Sequence, residues 1–301
     1  MKKAPEKAMV SGWKVWWLAL RPKTLWAAAA PVIMGSAMAQ HDGMGHWPAA
    51  LAALLGALLI QIGTNFANDY YDYVQGADTG ERLGPTRATQ AGWVTPETMK
   101  RAFILVFALA FLVGLYLIWR GGWPVLAIGL SSILFGILYT GGPYPLGYNG
   151  LADVFVLIFF GPVAVGGTYY VQALEINSTV IMAGLAPGLI STALLTVNNL
   201  RDITTDREAG KRTLAVRFGV GFARAEYLVS ILIACLIPVV LVWKNQENHY
   251  SVITLLVLLM AIPSIKTVFR ISGSPLLNQV LADTGKMLFV YSVVFSIGWL
   301  L

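Results

Sequence analysis

The sequence predicts an all-α integral membrane protein in which nine transmembrane helices form a bundle around a central cavity. Hydrophobic residues make up 57% of the 301-residue chain and charged residues only 12%, with a mean hydropathy of +0.67. A soluble globular domain carries about a quarter charged residues. The apolar residues also fall in blocks of about 17–21 residues, long enough to cross a hydrocarbon core of about 30 Å as helices. Lipid is therefore the solvent that suits this chain.

Nine apolar blocks are long enough to span a membrane, and turn signals separate several of them. Gly121-Gly122, Gly141-Gly142-Pro143 and Gly273 with Pro275 mark breaks between helices. The predicted spans are Thr24–Gln40, Ala50–Ala67, Arg101–Trp119, Trp123–Thr140, Leu151–Val171, Thr179–Val197, Ala223–Trp243, Ser251–Phe269 and Ala282–Leu301.

The basic residues predict the orientation of these spans. When nine spans are drawn, Arg120 and Lys244 lie on one side of the membrane, and the rest of the 21 Lys and Arg residues lie on the other. Because cytoplasmic loops carry the excess of Lys and Arg, the N-terminus and the large loops are expected inside and the C-terminus outside. The net charge of +6 then reflects these loops, and we expect no nucleic-acid partner. We expect one domain over residues 1–301, with cytoplasmic loops at about 68–100 and 198–222.

Acidic residues number only 15, yet several gather in two stretches that follow the second and sixth predicted spans. Each stretch has an Asn four residues before an Asp: Asn68 and Asp72 in the first, Asn198 and Asp202 in the second. Asp206 follows four residues later, and this spacing places the three side chains of the second stretch on one helical face. The motifs end spans that lie four helices apart, which predicts two similarly oriented, pseudo-repeated halves.

The first acidic stretch differs in detail from the second. Asp69 directly follows Asn68, and the next acid after Asp72 is Asp78, six residues on and past Gly76. The sequence leaves open whether Asp69 or Asp78 completes a site with Asp72.

Both acidic stretches fit a diphosphate site that contains magnesium. Crowded carboxylates repel one another and stay ionised when cations neutralise them. Mg²⁺ takes oxygen ligands, commonly one or two carboxylates together with substrate phosphates and water. Arg87, Lys211 and Arg212 follow the two motifs and could bind the remaining phosphate oxygens. The proposed metal ligands are Asn68, Asp69, Asp72, Asp78, Asn198, Asp202 and Asp206.

The paired motifs, Asn68–Asp78 and Asn198–Asp206, resemble those of the UbiA-type intramembrane prenyltransferases. That resemblance implies a nine-helix bundle that binds Mg²⁺ and an allylic diphosphate. Three stretches resemble the branch that acts on 1,4-dihydroxy-2-naphthoate in menaquinone and phylloquinone synthesis, and the resemblance covers nearly the whole chain. They are Arg21–Leu25, Asn68–Asp72 running to Gly84–Arg87, and Tyr139–Pro143 followed by Gly150–Asp153.

The resemblance implies transfer of a polyprenyl group from its diphosphate to this aromatic acid with loss of CO₂, in a bacterial cell membrane. Asp72 and Asp202 are the expected catalytic carboxylates, with Tyr139 and Asp153 as further candidates. Arg21 and Lys23 either anchor the first span on the inside or hold the aromatic carboxylate or the diphosphate. Two alternatives stay open: a sister enzyme acting on another acceptor, such as hydroxybenzoate or homogentisate, and a secondary transporter, because repeats and intramembrane acids also occur there.

Overall fold

The computed structural model describes residues 12–76 and 83–301. Within those ranges the protein is all-helical, as predicted, and has no β-strand. A π-helical turn at Phe159–Val163 joins α6 to α7, and 3₁₀ turns occupy Leu146–Tyr148 and His249–Leu256. The α-helices are α1 (Gly12–Leu20), α2 (Pro22–His41), α3 (Trp47–Val74), α4 (Pro96–Gly121), α5 (Trp123–Leu138), α6 (Ala152–Ile158), α7 (Ala164–Ala173), α8 (Ser178–Arg201), α9 (Ile203–Glu208), α10 (Leu214–Asn245), α11 (Val257–Arg270) and α12 (Leu277–Leu300).

Seven helical segments in the described ranges are long and apolar enough to cross a membrane. They are α3, α4, α6 with α7, α8, α10, α11 with its preceding 3₁₀ turn, and α12. Of the two other predicted spans, α5 is apolar but only 16 residues long, and α2 has 20 residues without reaching the same apolar content. The multi-pass membrane character is confirmed, whereas the count of nine spans stays a prediction.

The helix ends follow from local capping. The side chains of Thr95, Asn177 and Thr213 each accept a hydrogen bond from the backbone N–H three residues on, at 2.9–3.3 Å. Such caps satisfy one of the first N–H groups of a helix, which lack an intrahelical partner. Gly122 has a φ of 71° between α4 and α5, a conformation that glycine adopts without strain.

Helices α3 and α8 end later than predicted, and these C-terminal extensions carry residues of the acidic motifs. α3 continues to Val74 and α8 to Arg201, so Asn68, Asp72 and Asn198 lie on helix ends rather than in loops. Thr140 and Tyr148 bond the side chains of Asn68 and Asp72, and Arg201 of the same helix bonds Asn198. These polar side chains are therefore satisfied within the helix ends and do not need water.

Helix α8 lies at the centre of the bundle and is the most buried of the candidate spans. It contacts α10, α12, α6 and the π-helical turn. A side chain at Gly184 would meet the Cα of Pro162 at 2.8 Å, and one at Gly161 would meet the carbonyl oxygen of Gly184 at 2.7 Å. Small residues of this kind let helix backbones approach closely within a membrane. This contact closes one wall of a large cavity.

Candidate active site

A cavity of ≈ 860 Å³ runs between the helices. One end is polar and includes the ends of α3 and α8, while the other is apolar and lies among α3, α4 and α5. The predicted site residues that line it are Arg21, Lys23, Asn68, Asp72, Arg87, Tyr139, Asn198, Asp202, Asp206 and Lys211. Asp78, the other candidate of the first motif, lies outside the described residues.

Of the two described acids of the first motif, Asp72 bonds more side chains. Its carboxylate is 1% exposed and forms ion pairs with Arg87 and, at 3.3 Å, with Lys211. The hydroxyl of Tyr148 donates a hydrogen bond to the same carboxylate at 2.7 Å. One turn earlier, the amide oxygen of Asn68 accepts from the Thr140 hydroxyl at 2.8 Å. These partners hold both oxygen-bearing side chains at the cavity wall.

Asp69 has a different environment from its neighbours. Its two carboxylate oxygens accept hydrogen bonds from the backbone N–H groups of Ala88 and Thr89, at 2.9 and 3.1 Å. It is buried and is not among the described residues that line the cavity. This carboxylate fastens the segment after the first motif onto α3, the same segment that brings Arg87 to Asp72.

The second motif continues the helical hydrogen-bond pattern through the junction of α8 and α9. The backbone N–H of Asp202 donates to the carbonyl of Asn198 at 3.1 Å, and that of Asp206 donates to the carbonyl of Asp202 at 2.7 Å. The spacing of four therefore places all three side chains along one face, as predicted, and all three line the cavity.

Arg201 is a buried cation that organises the second motif. Its guanidinium donates to both oxygens of Asp202 at 2.8 and 2.6 Å, and to the amide oxygen of Asn198 at 2.8 Å. It also donates to Asn278 of α12 at 2.7 Å, and Asn278 in turn donates to the carbonyl of Leu83 at 2.9 Å. Arg201 thus links the second motif to α12 and, through it, to the segment that follows the first motif.

Lys211 connects the two motifs electrostatically. Its ammonium lies 3.3 Å from Asp72, 3.7 Å from Asp206 and 4.7 Å from the centre of the Tyr148 ring. Burial raises the pKa of Asp206 to about 6, and the charges of Asp202 and Asp72 add to that rise although Lys211 and Arg201 oppose it. Burial is the main cause of this rise, and the nearby cations only partly offset its effect on the charged form of Asp206.

The remaining basic candidates divide into two groups. Arg21 and Lys23 line the cavity where α1 meets α2, and Arg21 has a φ of 51°, a conformation that costs a non-glycine residue energy and is often found at functional sites. Arg212 is exposed and is not among the described residues that line the cavity. Its backbone bonds Tyr148 and Arg217 instead.

Tyr139 and Asp153 lie on either side of the connection between α5 and α6. Tyr139 lines the cavity and is close enough to Asp72, Asp206 and Asp153 to interact with their charges. Asp153 is 4% exposed and lies behind the wall. Among the described residues its carboxylate meets no hydrogen-bond partner except its own backbone N–H.

Sequence reasoning missed Tyr148, Thr140, Arg201 and Asn278 as members of the site. Arg201 directly precedes Asp202, and a cation inside an acidic motif at a membrane edge was a usable signal. Tyr148, Thr140 and Asn278 gave none, because they reach the motifs only through contacts 72 to 77 residues apart in the chain.

Residues 28–299 match the model of the UbiA prenyltransferase family. The chain belongs to this family. It is 42% identical over 248 residues to the 1,4-dihydroxy-2-naphthoate octaprenyltransferase of Escherichia coli, covering 80% of this chain and 79% of that one. The Haemophilus influenzae enzyme with the same description is 36% identical over 306 residues, covering 96% of both chains.

The fold of this UbiA family member agrees with that of distant relatives. The structure of a UbiA homolog from Archaeoglobus fulgidus, bound to GPP and Mg²⁺, superposes with a TM-score of 0.71. The alignment covers 95% of this chain and 99% of that chain at 14% identity. At so low an identity the likeness establishes the fold alone, and the substrates follow from the site and from the more similar relatives.

Proposed function

We propose that this UbiA family member transfers a polyprenyl group from its diphosphate to 1,4-dihydroxy-2-naphthoate, with loss of the carboxylate as CO₂ and release of diphosphate. The observation that carries the proposal is the meeting of two acidic motifs, from α3 and α8–α9, on one cavity whose other end is apolar. The relatives named for this reaction, at 36% and 42% identity, support the choice of acceptor.

The residues at the polar end fit magnesium. Their donors are carboxylate and amide oxygens, which Mg²⁺ prefers. Asp206 is a buried carboxylate whose pKa is raised chiefly by burial, so a bound cation would stabilise its charged form. Among the described residues no three acids, histidines or cysteines converge to hold an ion alone, as expected where substrate phosphates supply the other ligands. Asn68, Asp72, Asn198, Asp202 and Asp206 would hold the metal. Bound there, it would neutralise charge that develops on the departing diphosphate.

The chain's own cations have a second role in this proposal. Arg87 and Lys211 pair with Asp72, and they lie where a diphosphate would meet the first motif. Donors placed in advance at the point where charge develops stabilise a transition state strongly. Arg87 and Lys211 would thus bind phosphate oxygens as well as Asp72. Arg21 and Lys23 are further cations that line the cavity. Arg212, which is exposed, is left out of this set.

At the acceptor, the cavity binds the electron-rich ring and excludes water from the allylic carbon once its bond to oxygen breaks. The ring then attacks this carbon, and the carboxylate leaves as CO₂. We assign the orientation of the acceptor to Tyr139, because it lines the cavity and lies close enough to Asp72 and Asp206 to interact with their charges. Asp153, which also interacts with Tyr139 through its charge, is a buried carboxylate with an open hydrogen-bonding capacity.

The topology that we propose has nine spans, with α2 and α5 added to the seven long helices. The polar end of the cavity then faces the cytoplasm and the C-terminus lies outside. Arg120 and Lys244 are the two cations expected outside. They lie in the last turns of α4 and α10, at the end of the bundle away from the two motifs. Trp119, Trp123 and Trp243 are more than three-quarters exposed at the same ends, as interfacial anchors are.

The contacts of Asp69 lead to a prediction that separates it from Asp72. Asp69→Ala leaves two buried backbone N–H groups without an acceptor, at a cost of about 1–3 kcal/mol each. We expect a lower thermal unfolding midpoint in detergent and an unchanged Mg²⁺ concentration for half-maximal activity. Asp69→Asn, which keeps one acceptor oxygen, should lie between Ala and wild type. A raised Mg²⁺ requirement with normal stability would make Asp69 a metal ligand instead.

The proposed reaction is tested with purified protein in detergent, 1,4-dihydroxy-2-naphthoate, geranylgeranyl diphosphate and Mg²⁺, with products identified by mass spectrometry. We expect a prenylated product that lacks the carboxyl group and disappears when EDTA is added. If only hydroxybenzoate or homogentisate were prenylated, the protein would be a sister enzyme that acts on another acceptor. Absence of diphosphate release with every acceptor would favour the transporter alternative.

A further inference from the structure

Two acids inside the helix bundle have no basic partner among the described residues: Asp153 in the first turn of α6, and Glu226 of α10. Asp153 is 4% exposed, and its carboxylate oxygens bond no other described residue. Glu226 is partly buried. An ionised carboxylate is costly inside a membrane unless a cation or hydrogen bonds compensate its charge, and such acids are commonly functional.

Helix α8 brings the two acids to one place. Thr192 and Thr196 lie one turn apart, on one face of α8. The Thr192 hydroxyl donates to the backbone carbonyl of Asp153 at 3.5 Å, and the Thr196 hydroxyl lies 3.0 Å from the Glu226 carboxyl group. Residues of α6 and α10 thus meet on the same face, where Glu226 is close enough to Asp153 to interact with its charge.

The contacts of Thr196 indicate that Glu226 carries a proton. The Thr196 hydroxyl oxygen lies 2.9 Å from the Thr192 backbone carbonyl and 3.0 Å from Oε2 of Glu226. A hydroxyl has one proton to donate, and a carbonyl has none. Both bonds form fully only when Thr196 donates to the carbonyl and a protonated Glu226 donates to Thr196. Two neighbouring carboxyl groups also favour one shared proton, because two negative charges would repel each other.

The charged groups on the helices packed against these acids are engaged elsewhere or exposed. Arg201 of α8 bonds the second motif, while Arg217 and Arg224 of α10 donate to backbone carbonyls. Asp206 of α9 pairs with Lys211. The remaining charged residues of α9, α10, α11 and the 3₁₀ turn before α11 are exposed: Arg207, Glu208, Lys244, His249, Lys266 and Arg270. Within the described part of the chain, a proton rather than a cation therefore neutralises the two acids.

Tyr139 connects the two acids to the cavity, because it lines the cavity and interacts with the charge of Asp153. We propose that Asp153 and Glu226 form an acid pair that shares one proton and, through the Tyr139 hydroxyl, takes a second proton from the bound acceptor and returns it. This inference rests on the proposed prenyl transfer. The acid pair acts through Tyr139 and does not itself touch the substrate.

The proposed reaction needs an exchange of this kind. When the ring carbon that bears the carboxylate attacks, a carbon–carbon bond forms and the bond between the allylic carbon and the diphosphate oxygen breaks. The neighbouring ring hydroxyl becomes a ketone and gives its proton, through Tyr139, to the acid pair. Loss of CO₂ leaves the electron pair of the broken bond on the ring as an enolate, whose oxygen takes the proton back. A site that excludes water must supply this proton acceptor itself.

Infrared difference spectra test the shared proton directly, because a protonated carboxyl group has its own C=O stretching band. The protein is titrated in detergent without substrate. We expect the wild-type band to persist at neutral pH and to disappear in two steps as the pH rises, as coupled acids titrate. Asp153→Asn and Glu226→Gln should each lose it in one step that ends about one pH unit or more lower, because the neighbouring charge is gone. The control Asp42→Asn removes a carboxylate bonded to Tyr169 and should titrate as wild type.

A wild-type spectrum without the band at neutral pH, or a wild-type titration in either variant, would overturn the acid pair. Because this measurement needs no turnover, failure of the proposed reaction is recognised separately, by absent product in wild type.

The pH dependence of kcat tests the proton exchange. Asp153→Asn should lower kcat about 10²–10⁴-fold, the range for loss of acid–base assistance, with the KM for the donor close to wild type. Tyr139→Phe should lower kcat similarly but keep the infrared band. Glu226→Gln should retain more activity, and its rate should titrate in one step where wild type shows two. A wild-type kcat for Asp153→Asn, or two steps in Glu226→Gln, would contradict the exchange.

Discussion

Replacing Asp72 by Asn is expected to reduce prenyl transfer by about 10²–10³-fold, the range seen when one preorganised electrostatic contact to a transition state is removed. Asn has nearly the same shape and can still accept the Tyr148 hydroxyl bond of 2.7 Å. It lacks the negative charge that is proposed to bind metal and that pairs with Arg87 and Lys211. The rate is measured at saturating donor over a range of Mg²⁺ concentrations, and half-activation should shift upward.

The matched control for Asp72→Asn is Asp42→Asn. Asp42 follows α2 at the end of the bundle opposite the motifs, where it accepts a hydrogen bond of 2.6 Å from the Tyr169 hydroxyl. This variant loses a carboxylate of the same kind without touching the site, so transfer should be unchanged. If Asp72→Asn kept the wild-type rate and the wild-type Mg²⁺ dependence, the assignment of the first motif would be wrong.

Replacing Arg201 by Met is expected to destabilise the protein strongly, and more than Asp69→Asn or Asp72→Asn. Removal of one partner from a buried ion pair costs about 3–5 kcal/mol because the other charge is left uncompensated. Since the Asp202 side chain is 15% exposed, we expect the lower part of that range. The loss also leaves Asn198 and Asn278 without their guanidinium donor. The midpoint of thermal unfolding in detergent should fall markedly, and transfer should be lost.

Two further variants identify the cause of that loss. Arg217→Met removes an exposed arginine that donates to the carbonyls of Arg212 and Asn149, and it should leave the unfolding midpoint close to wild type. Adding Asp202→Asn to Arg201→Met removes the uncompensated charge, so the double variant should be more stable than Arg201→Met alone. A wild-type midpoint for Arg201→Met would show that the guanidinium does not organise the second motif.

The seven long spans of the described residues and the helical spacing of the second motif were predictable because they depend on local sequence. Long apolar blocks specify helices in lipid whatever surrounds them, and a spacing of four specifies one face of any helix. Asn198, Asp202 and Asp206 accordingly lie along one face of the cavity. The helix limits were less predictable. α3 runs on to Val74 because partners from distant segments satisfy the polar groups of its last turns.

The division of roles within the first motif depends on contacts that no local pattern contains. Asp69 and Asp72 are three residues apart on one helix and look interchangeable in the sequence. The fold gives Asp69 two backbone donors from residues 88 and 89, while Asp72 faces Arg87, Tyr148 and Lys211.

The most direct test of the proposed site is a structure of the protein with Mn²⁺ and geranyl thiodiphosphate, an unreactive donor, with the metal located by anomalous scattering. We expect metal in contact with the diphosphate and with carboxylates of both motifs, Asp72 from the first and Asp202 or Asp206 from the second. Arg87 and Lys211 should contact phosphate oxygens, and the tail should extend into the apolar end of the cavity. Metal at one motif alone, or a diphosphate bound away from Asp72, would contradict the proposed site.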